Sequence, residues 1–475
     1  MQNLFGSIQK SNLLKTIGTF TSQQVSRSLS RGLTKKEVEK INPKNALDVI
    51  RRVMLVDGYN FVVDMDKSYN LNLVDMQSKK GYLDFFSYFA SSATGSNHPK
   101  LANKEFKEYI GDKAISKISN SDFYTLEMSK FVATFERVLM PKEFTKTFFI
   151  AGGALAVENA LKAAFDWKVR KNIKAGNGEV GTQCIHFKQA FHGRTGYTMS
   201  LTNTSPVKVQ YFPKFEWPRI TNPKCTYPLE GKNLENVIEL EKQALKEIQE
   251  AINNNPHDIA CLIIEPIQGE GGDNHFRPEF MQALRKITEE NEILFICDEV
   301  QAGVGITGKT WAYEHHDIVP DMVCFGKKTH VCGVMVTDKL LEVEDNVFEF
   351  SSRINSTFGG NYVDMIRAQR ILEIIEEENL IEQARVVGDY LMQKLKEIES
   401  LFPQYVKNVR GKGLMCAFDL VNPEIRDKLR NGCYERNMII LPCGDVSLRF
   451  RPPLTCKEIH VDEAFEIIVD TLKNL

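Results

Sequence analysis

Residues 293–298 read Ile293-Leu294-Phe295-Ile296-Cys297-Asp298, five apolar side chains in succession and then a carboxylate. A strand that is apolar at consecutive positions is buried on both faces, as in a parallel sheet covered by helices on each side. A carboxylate ending such a strand is unfavourable unless it is paired or hydrogen-bonded. Four more runs share this texture: Thr147–Ile150, Cys184–Phe187, Ile259–Ile264 and Met322–Phe325. Amphipathic stretches lie between them, Leu155 to Lys168, Leu234 to Ala251 and Phe280 to Glu290. Strand and helix in alternation predict an α/β fold with a large, doubly wound, mainly parallel sheet. After residue 360 come two helical stretches, Met365–Glu378 and Ile381–Phe402, and then short strands near Gly413–Leu420 and Ser447–Phe450. That change predicts a smaller C-terminal α+β domain.

The chain has 475 residues, which sets an expectation of two or three domains at roughly 150 residues each. Apolar residues at 43% and charged residues at 26% exclude a disordered or collagen-like chain. Sixty basic against sixty-two acidic residues leave no charge excess to draw nucleic acid or an anionic membrane. No apolar run reaches the roughly 18 residues that span a bilayer. The ten cysteines include no C-x-x-C pair, so buried free thiols in a reducing compartment are expected. His315 and His316 are adjacent, a poor spacing for helical metal ligands, and no metal site is expected.

Residues 1–36 contain no Asp or Glu, carry Lys10, Lys15, Arg27, Arg31, Lys35 and Lys36, and place Leu13, Leu14, Ile17 and Phe20 at helical spacing. This is the pattern of a mitochondrial transit peptide; the alternative is a disordered cytoplasmic tail. The expected organisation is this tail (1–36), a segment joining the small domain (37–90), a large domain (91–358) and a small C-terminal domain (359–475).

Ligands of open α/β sheets gather at the carboxyl ends of the strands, so the residues after each apolar run are the candidates. Ala151-Gly152-Gly153-Ala154 opens a helix, where small residues let backbone N–H groups meet a phosphate; an ordinary tight turn would read the same way. Asp298 ends its strand, and Gly326-Lys327-Lys328 follows a neighbouring one. A strand-end lysine is a candidate nucleophile toward an aldehyde. Lysine, aspartate and a phosphate cup on one rim are what pyridoxal phosphate needs, because the aspartate keeps the pyridine nitrogen protonated and the ring an electron sink. A buried Asp–Lys ion pair would explain only those two residues. Phe191-His192-Gly193-Arg194 offers an aromatic to stack on a ring and an arginine to clasp a carboxylate. Glu265-Pro266-Ile267-Gln268-Gly269-Glu270-Gly271-Gly272 adds two carboxylates, and Arg449-Phe450-Arg451 a second arginine site. Gly303-Val304-Gly305-Ile306-Thr307-Gly308 fits G-x-G-x-x-G, but it lies late in the chain and precedes Lys309-Thr310-Trp311, a poor helix start, which argues against a dinucleotide.

From about residue 45 to 475 the chain resembles the class III pyridoxal-phosphate aminotransferases, of fold type I. The resemblance rests on Glu265–Gly272, Asp298-Glu299-Val300-Gln301 and Phe325-Gly326-Lys327-Lys328 in that order and spacing. Within the family it is strongest to the lysine ε-aminotransferase branch, on Gly153–Ala160, Ser200–Thr204, His275–Pro278 and Lys328–Met335. Relatives acting on 4-aminobutyrate usually carry Gly-Gly where Cys332-Gly333 stands, and some animal forms have an iron–sulfur cysteine pair that this chain, with no cysteine before Cys184, lacks. The resemblance implies that Lys328, the second of the adjacent lysines, carries the cofactor and moves the substrate proton. Asp298 would pair with the pyridinium, Phe191 stack on the ring, Gln301 contact its hydroxyl, and Gly153 and Ala154 hold the phosphate. Thr357 would reach the phosphate of a neighbouring subunit, making a homodimer necessary. Arg194 and Arg449 would bind carboxylates, with Glu270 pairing to Arg449 when no second carboxylate is present. The implied reaction moves the terminal amino group of L-lysine to 2-oxoglutarate. The alternatives are a 4-aminobutyrate or ornithine ω-aminotransferase and, outside enzymes, a non-catalytic interaction protein of the same fold.

Overall fold

The computed structural model describes residues 32–475. The proposed address therefore lies almost wholly outside the described residues. Its boundary at 36 also cuts an element, because Thr34 caps a short helix, Lys35–Val38, in a reciprocal capping box with Glu37.

Seven strands build the main sheet: β1 (Phe144–Ile150), β2 (Gln183–Phe187), β3 (Arg219–Ile220), β4 (Ile259–Ile264), β5 (Leu294–Asp298), β6 (Met322–Phe325) and β7 (Cys332–Thr337). Their spatial order is β1-β7-β6-β5-β4-β2-β3, and β7 alone runs antiparallel to its neighbours. The five apolar runs are strands. β7 was not anticipated, since it begins only seven residues after β6 ends, too short a connection for the crossover that a parallel neighbour needs.

The doubly wound arrangement is visible in the core. Along β4, Cys261 and Ile263 pack with one buried cluster, while Leu262 and Ile264 pack with another. Side chains two residues apart share a face, so this alternation means that both faces are covered. On one side lies α1 (Gly153–Ala175), whose Ala160, Ala163 and Ala164 give it a narrow face that closes on the sheet around Trp167. On the other lie α2 (Gly231–Asn254), through Ala244 and Ile248, and α3 (Pro278–Glu290), through Phe280, Met281 and Leu284.

Further along the chain, helices Tyr362–Glu377 and Leu380–Leu401 precede a four-stranded antiparallel sheet of β8 (Val406–Lys412), β9 (Met415–Leu420), β10 (Leu441–Cys443) and β11 (Ser447–Phe450), ordered β8-β9-β11-β10. The strand Gly81–Asp84 lies parallel to Met438–Ile439. The compact units differ from the expected domains: residues 65–73 and 81–475 form one unit containing both sheets, and residues 32–64 with 74–80 form the other. The C-terminal sheet shares its apolar core with the large one, through Phe418, Phe450 and Leu454 in the same cluster as Phe295 and Phe325. All ten cysteines are free and buried. The segment 303–308 is a series of turns with positive φ at Val304, Gly305 and Gly308, not the start of a helix. Among the described residues no helix is long and apolar enough to cross a membrane.

Candidate active site

A cavity of about 810 Å³ opens at the carboxyl ends of the parallel strands. Register explains why its residues meet. Asp298, at the end of β5, is level with Cys324 of β6, three residues before Lys327. Ile264 of β4 is level with Cys297, so Glu265 and Asp298 emerge side by side. The turn from β1 into α1 brings Gly152, Gly153 and Ala154 to the same rim.

Asp298 is 5% exposed and its two oxygens are differently held. Oδ2 accepts from His192 Nδ1 at 2.7 Å, and Oδ1 accepts from the Val300 amide at 3.1 Å. Burial alone would lower the His192 imidazole, but its hydrogen bond to Asp298 and that group's charge outweigh the effect and raise its pKa. Glu265, beside them, accepts from the Phe191 amide at 2.9 Å and the Gly269 amide at 3.2 Å, and burial pushes its carboxyl up to about 7. The Asp298 carboxyl is thus fixed in direction and shielded from water.

At the start of α1, Gly152 has φ 110° and no side chain caps the helix, and Gly152, Gly153 and Ala154 line the cavity, so the first amides have no side-chain cap there. A Cβ on Gly153 would stand 2.8 Å from Val300 Cγ1, and one on Gly193 would stand 2.5 Å from Ala154 Cβ. Small residues are required here for the Val300 and Ala154 side chains to pack against the backbone around the helix terminus, which favours an anion.

The lysines correct the expectation. Lys327 lines the cavity, donates to the Phe89 carbonyl at 3.0 Å, and has its pKa lowered to about 7 by burial and then by the charges of Arg449 and Arg451. Lys328 turns away. It is 2% exposed, absent from the cavity wall, and donates to the Gln301 carbonyl at 2.9 Å and the Ala90 carbonyl at 3.4 Å. The left-handed backbone at Lys327 (φ 54°) sends the two side chains apart. Lys327, not Lys328, is the amine placed toward Asp298.

Both lysines grip a strained segment. Ser87, Tyr88, Phe89 and Ala90 all have positive φ, a conformation costing on the order of 1–2 kcal/mol per residue. Asp84 accepts from the Phe86 and Ser87 amides, and Ser87 Oγ donates to the Arg451 carbonyl. This held turn presents Tyr88 and Phe89 to the cavity.

Of the other expected residues, Phe191, Arg194, Glu270 and Gln301 also line the cavity. Arg194 is exposed. Arg449 sits behind Glu270, 2% exposed, donating Nη2 to Glu270 Oε2 at 2.7 Å; its Nη1 is buried without a partner among the described residues. Gln301 Oε1 accepts from Arg451 Nε at 3.2 Å, and Arg451 is itself paired with buried Asp273. Thr357 does not line this cavity; it is exposed, with its carbonyl accepting from Ser119 Oγ at 2.6 Å. Lys208 escaped the sequence reading. It reaches Glu270 Oε1 at 2.5 Å from a short turn, Pro206–Lys208, and no motif marks it.

A lysine amine, a shielded carboxylate, an aromatic face and an open helix terminus on one wall suit pyridoxal phosphate, and comparison with known proteins agrees. The Aminotransferase class-III family profile matches residues 53–472. This chain belongs to that family. It is therefore a pyridoxal-phosphate-dependent aminotransferase of fold type I. It is 49% identical over 432 residues to the L-lysine-epsilon aminotransferase of Mycobacterium tuberculosis, covering 90% of this chain and 96% of that one. Identity is 33% over 443 residues to the 4-aminobutyrate aminotransferase of Kluyveromyces lactis, covering 87% and 89%. The solved structure of the M. tuberculosis lysine aminotransferase superposes with a TM-score of 0.89 at 49% identity, covering 91% of this chain and all of the other.

Proposed function

We propose that this aminotransferase takes the terminal amino group of L-lysine and delivers it to 2-oxoglutarate, giving 2-aminoadipate 6-semialdehyde and L-glutamate. The observation carrying this reading is the arrangement of arginines. Arg194 stands exposed on the cavity wall, whereas Arg449 is neutralised by the partly exposed carboxylate of Glu270. An ω-amine donor has no carboxylate on its reacting carbon. It needs one cation for its distant carboxylate, and that is Arg194. Glu270 stays on Arg449, because a buried arginine left alone is strongly unfavourable. An acceptor with a carboxylate beside its reacting carbon displaces Glu270 and also gives the orphaned Arg449 Nη1 an acceptor. The 49% identity to a lysine aminotransferase, against 33% to one for 4-aminobutyrate, supports lysine among ω-amines.

Pyridoxal phosphate, when bound, supplies an aldehyde for the amine and a protonated ring that takes up the electron pair left by C–H cleavage. The chain does the rest. The amides at Gly153 and Ala154 would hold the phosphate. Asp298, steadied by His192, would keep the ring nitrogen protonated. Phe191 would cover one face of the ring, and Gln301 would contact its hydroxyl. Lys327 Nζ would hold the aldehyde, and as the amine on the wall beside Asp298 it is the base that would take the proton from C6 of lysine. With its pKa lowered to about 7, a large fraction of that amine is neutral at neutral pH. Thr357, exposed and away from its own cavity, is proposed to reach the phosphate of a second subunit, which makes the working form a homodimer. Targeting to mitochondria is proposed on the composition of residues 1–36 alone, and the bacterial relative lends it no support. Import of a reporter fused to those residues tests it.

Single-turnover half-reactions with lysine, ornithine and 4-aminobutyrate test the donor. Lysine is expected to have the largest kcat/KM; a larger value for either competitor reassigns the substrate.

A further inference from the structure

We infer that Lys208 is the second station of Glu270, the cation that holds this carboxylate when it leaves Arg449. The inference rests on the two-arginine reading above. Glu270 is shared between two cations through different oxygens: Oε2 accepts from Arg449 Nη2 at 2.7 Å, and Oε1 from Lys208 Nζ at 2.5 Å. Burial pushes its carboxyl up, but the charges of Arg449 and Lys208 and their hydrogen bonds hold it below the usual range, so it stays ionised. The two cations are unlike. Arg449 is 3% exposed in its side chain and has no freedom to follow, whereas Lys208 is 26% exposed and reaches in on a flexible stem. Its ammonium is already steadied by Thr204 Oγ1 at 3.1 Å and by the Phe191 ring, 5.3 Å from Nζ to the centroid.

A carboxylate that abandons a buried guanidinium in a half-closed cavity needs somewhere to go. Rotation of the Glu270 side chain can carry Oε2 off Arg449 while Oε1 keeps its hydrogen bond to Lys208. Arg449 stabilises only the paired state, in which Lys208 merely shares the carboxylate with it, whereas in the displaced state the whole charge falls to Lys208, so Lys208 favours the displaced state. Without Lys208 the displaced carboxylate would have only water, and opening Arg449 to a dicarboxylate would become harder. Lys208 is therefore a positioning residue acting through Glu270, and its effect falls on ligands with a second carboxylate.

Calorimetric titration of the pyridoxal-phosphate-loaded full chain with glutarate tests this, since glutarate carries two carboxylates and cannot react. Lys208→Met is expected to raise the glutarate Kd about tenfold, while hexanoate, with one carboxylate, shifts by no more than about twofold. Lys208→Arg keeps the charge and recovers most of the loss. In a Glu270→Gln background, Lys208→Met has no further effect. An unchanged glutarate Kd, an equal loss for hexanoate, or a loss that persists without Glu270 would each overturn the inference, the last because it means direct contact with ligand. Failure of the transaminase reading shows separately, as a wild-type chain giving no half-reaction with any amine.

Discussion

Two parts of one cavity are built on opposite principles. At the strand ends, Asp298 is held by His192 and a backbone amide, and the start of α1 is shaped by residues too tightly spaced to carry side chains. At the mouth, Glu270, Arg449 and Lys208 are joined by ion pairs across elements distant in sequence, with a quarter of the Glu270 and Lys208 side chains exposed. In the proposed reaction the first region would keep the same partners throughout. The second would exchange partners in that reaction, because lysine and 2-oxoglutarate differ in how many carboxylates they bring. Rigidity belongs where charge develops, and exchangeable charge belongs where substrates differ.

The sharpest way to break this comparison is at the adjacent lysines. Lys327→Ala is expected to lower turnover by at least about a thousandfold, as loss of a nucleophile does. Lys328→Ala should instead loosen the Ser87–Ala90 turn and lower thermal stability, with turnover reduced far less. Borohydride reduction followed by peptide mass mapping should place the cofactor on residue 327; label on residue 328 would reverse the assignment. Next, Asp298→Asn should cost roughly a hundredfold or more in both half-reactions alike, since the charge on the ring nitrogen serves both. Arg449→Ala should cost about a hundredfold in the 2-oxoglutarate half and clearly less in the lysine half. Equal losses would mean that the mouth does not switch. The smallest effect is one of pH. Lys327 has its pKa lowered to about 7, so its reactive neutral form grows as pH rises through that value. The rate at which apoprotein takes up pyridoxal phosphate should rise across roughly pH 6 to 8 and then level off. A rise that begins only near the ordinary lysine range would show that Lys327 is not desolvated.

Much of the strand-end region was legible in the residues. Consecutive apolar positions need two covered faces wherever they occur, and a carboxylate closing such a run has few places to be. The anticipated helices agree in position with Gly153–Ala175, Gly231–Asn254 and Pro278–Glu290, because their periodicity is local. The antiparallel β7 was missed, since a strand's direction depends on its neighbours. The compact units do not follow the change of texture at 358, because local texture does not reveal that both sheets contribute to one apolar cluster.

Sequence alone determined that a parallel sheet would carry Asp298, a lysine pair and a glycine-rich helix start to one edge, because strand burial and helix termini are properties of short runs. Only the tertiary structure decided which lysine faces the cavity. Lys327 and Lys328 are the same residue type one position apart, and a single left-handed φ with two carbonyl partners separates their fates. It also decided that Lys208 meets Glu270 across 62 residues and Arg449 meets it across 179. Charges so far apart in the chain are paired by the packing of whole elements, and no local pattern encodes that.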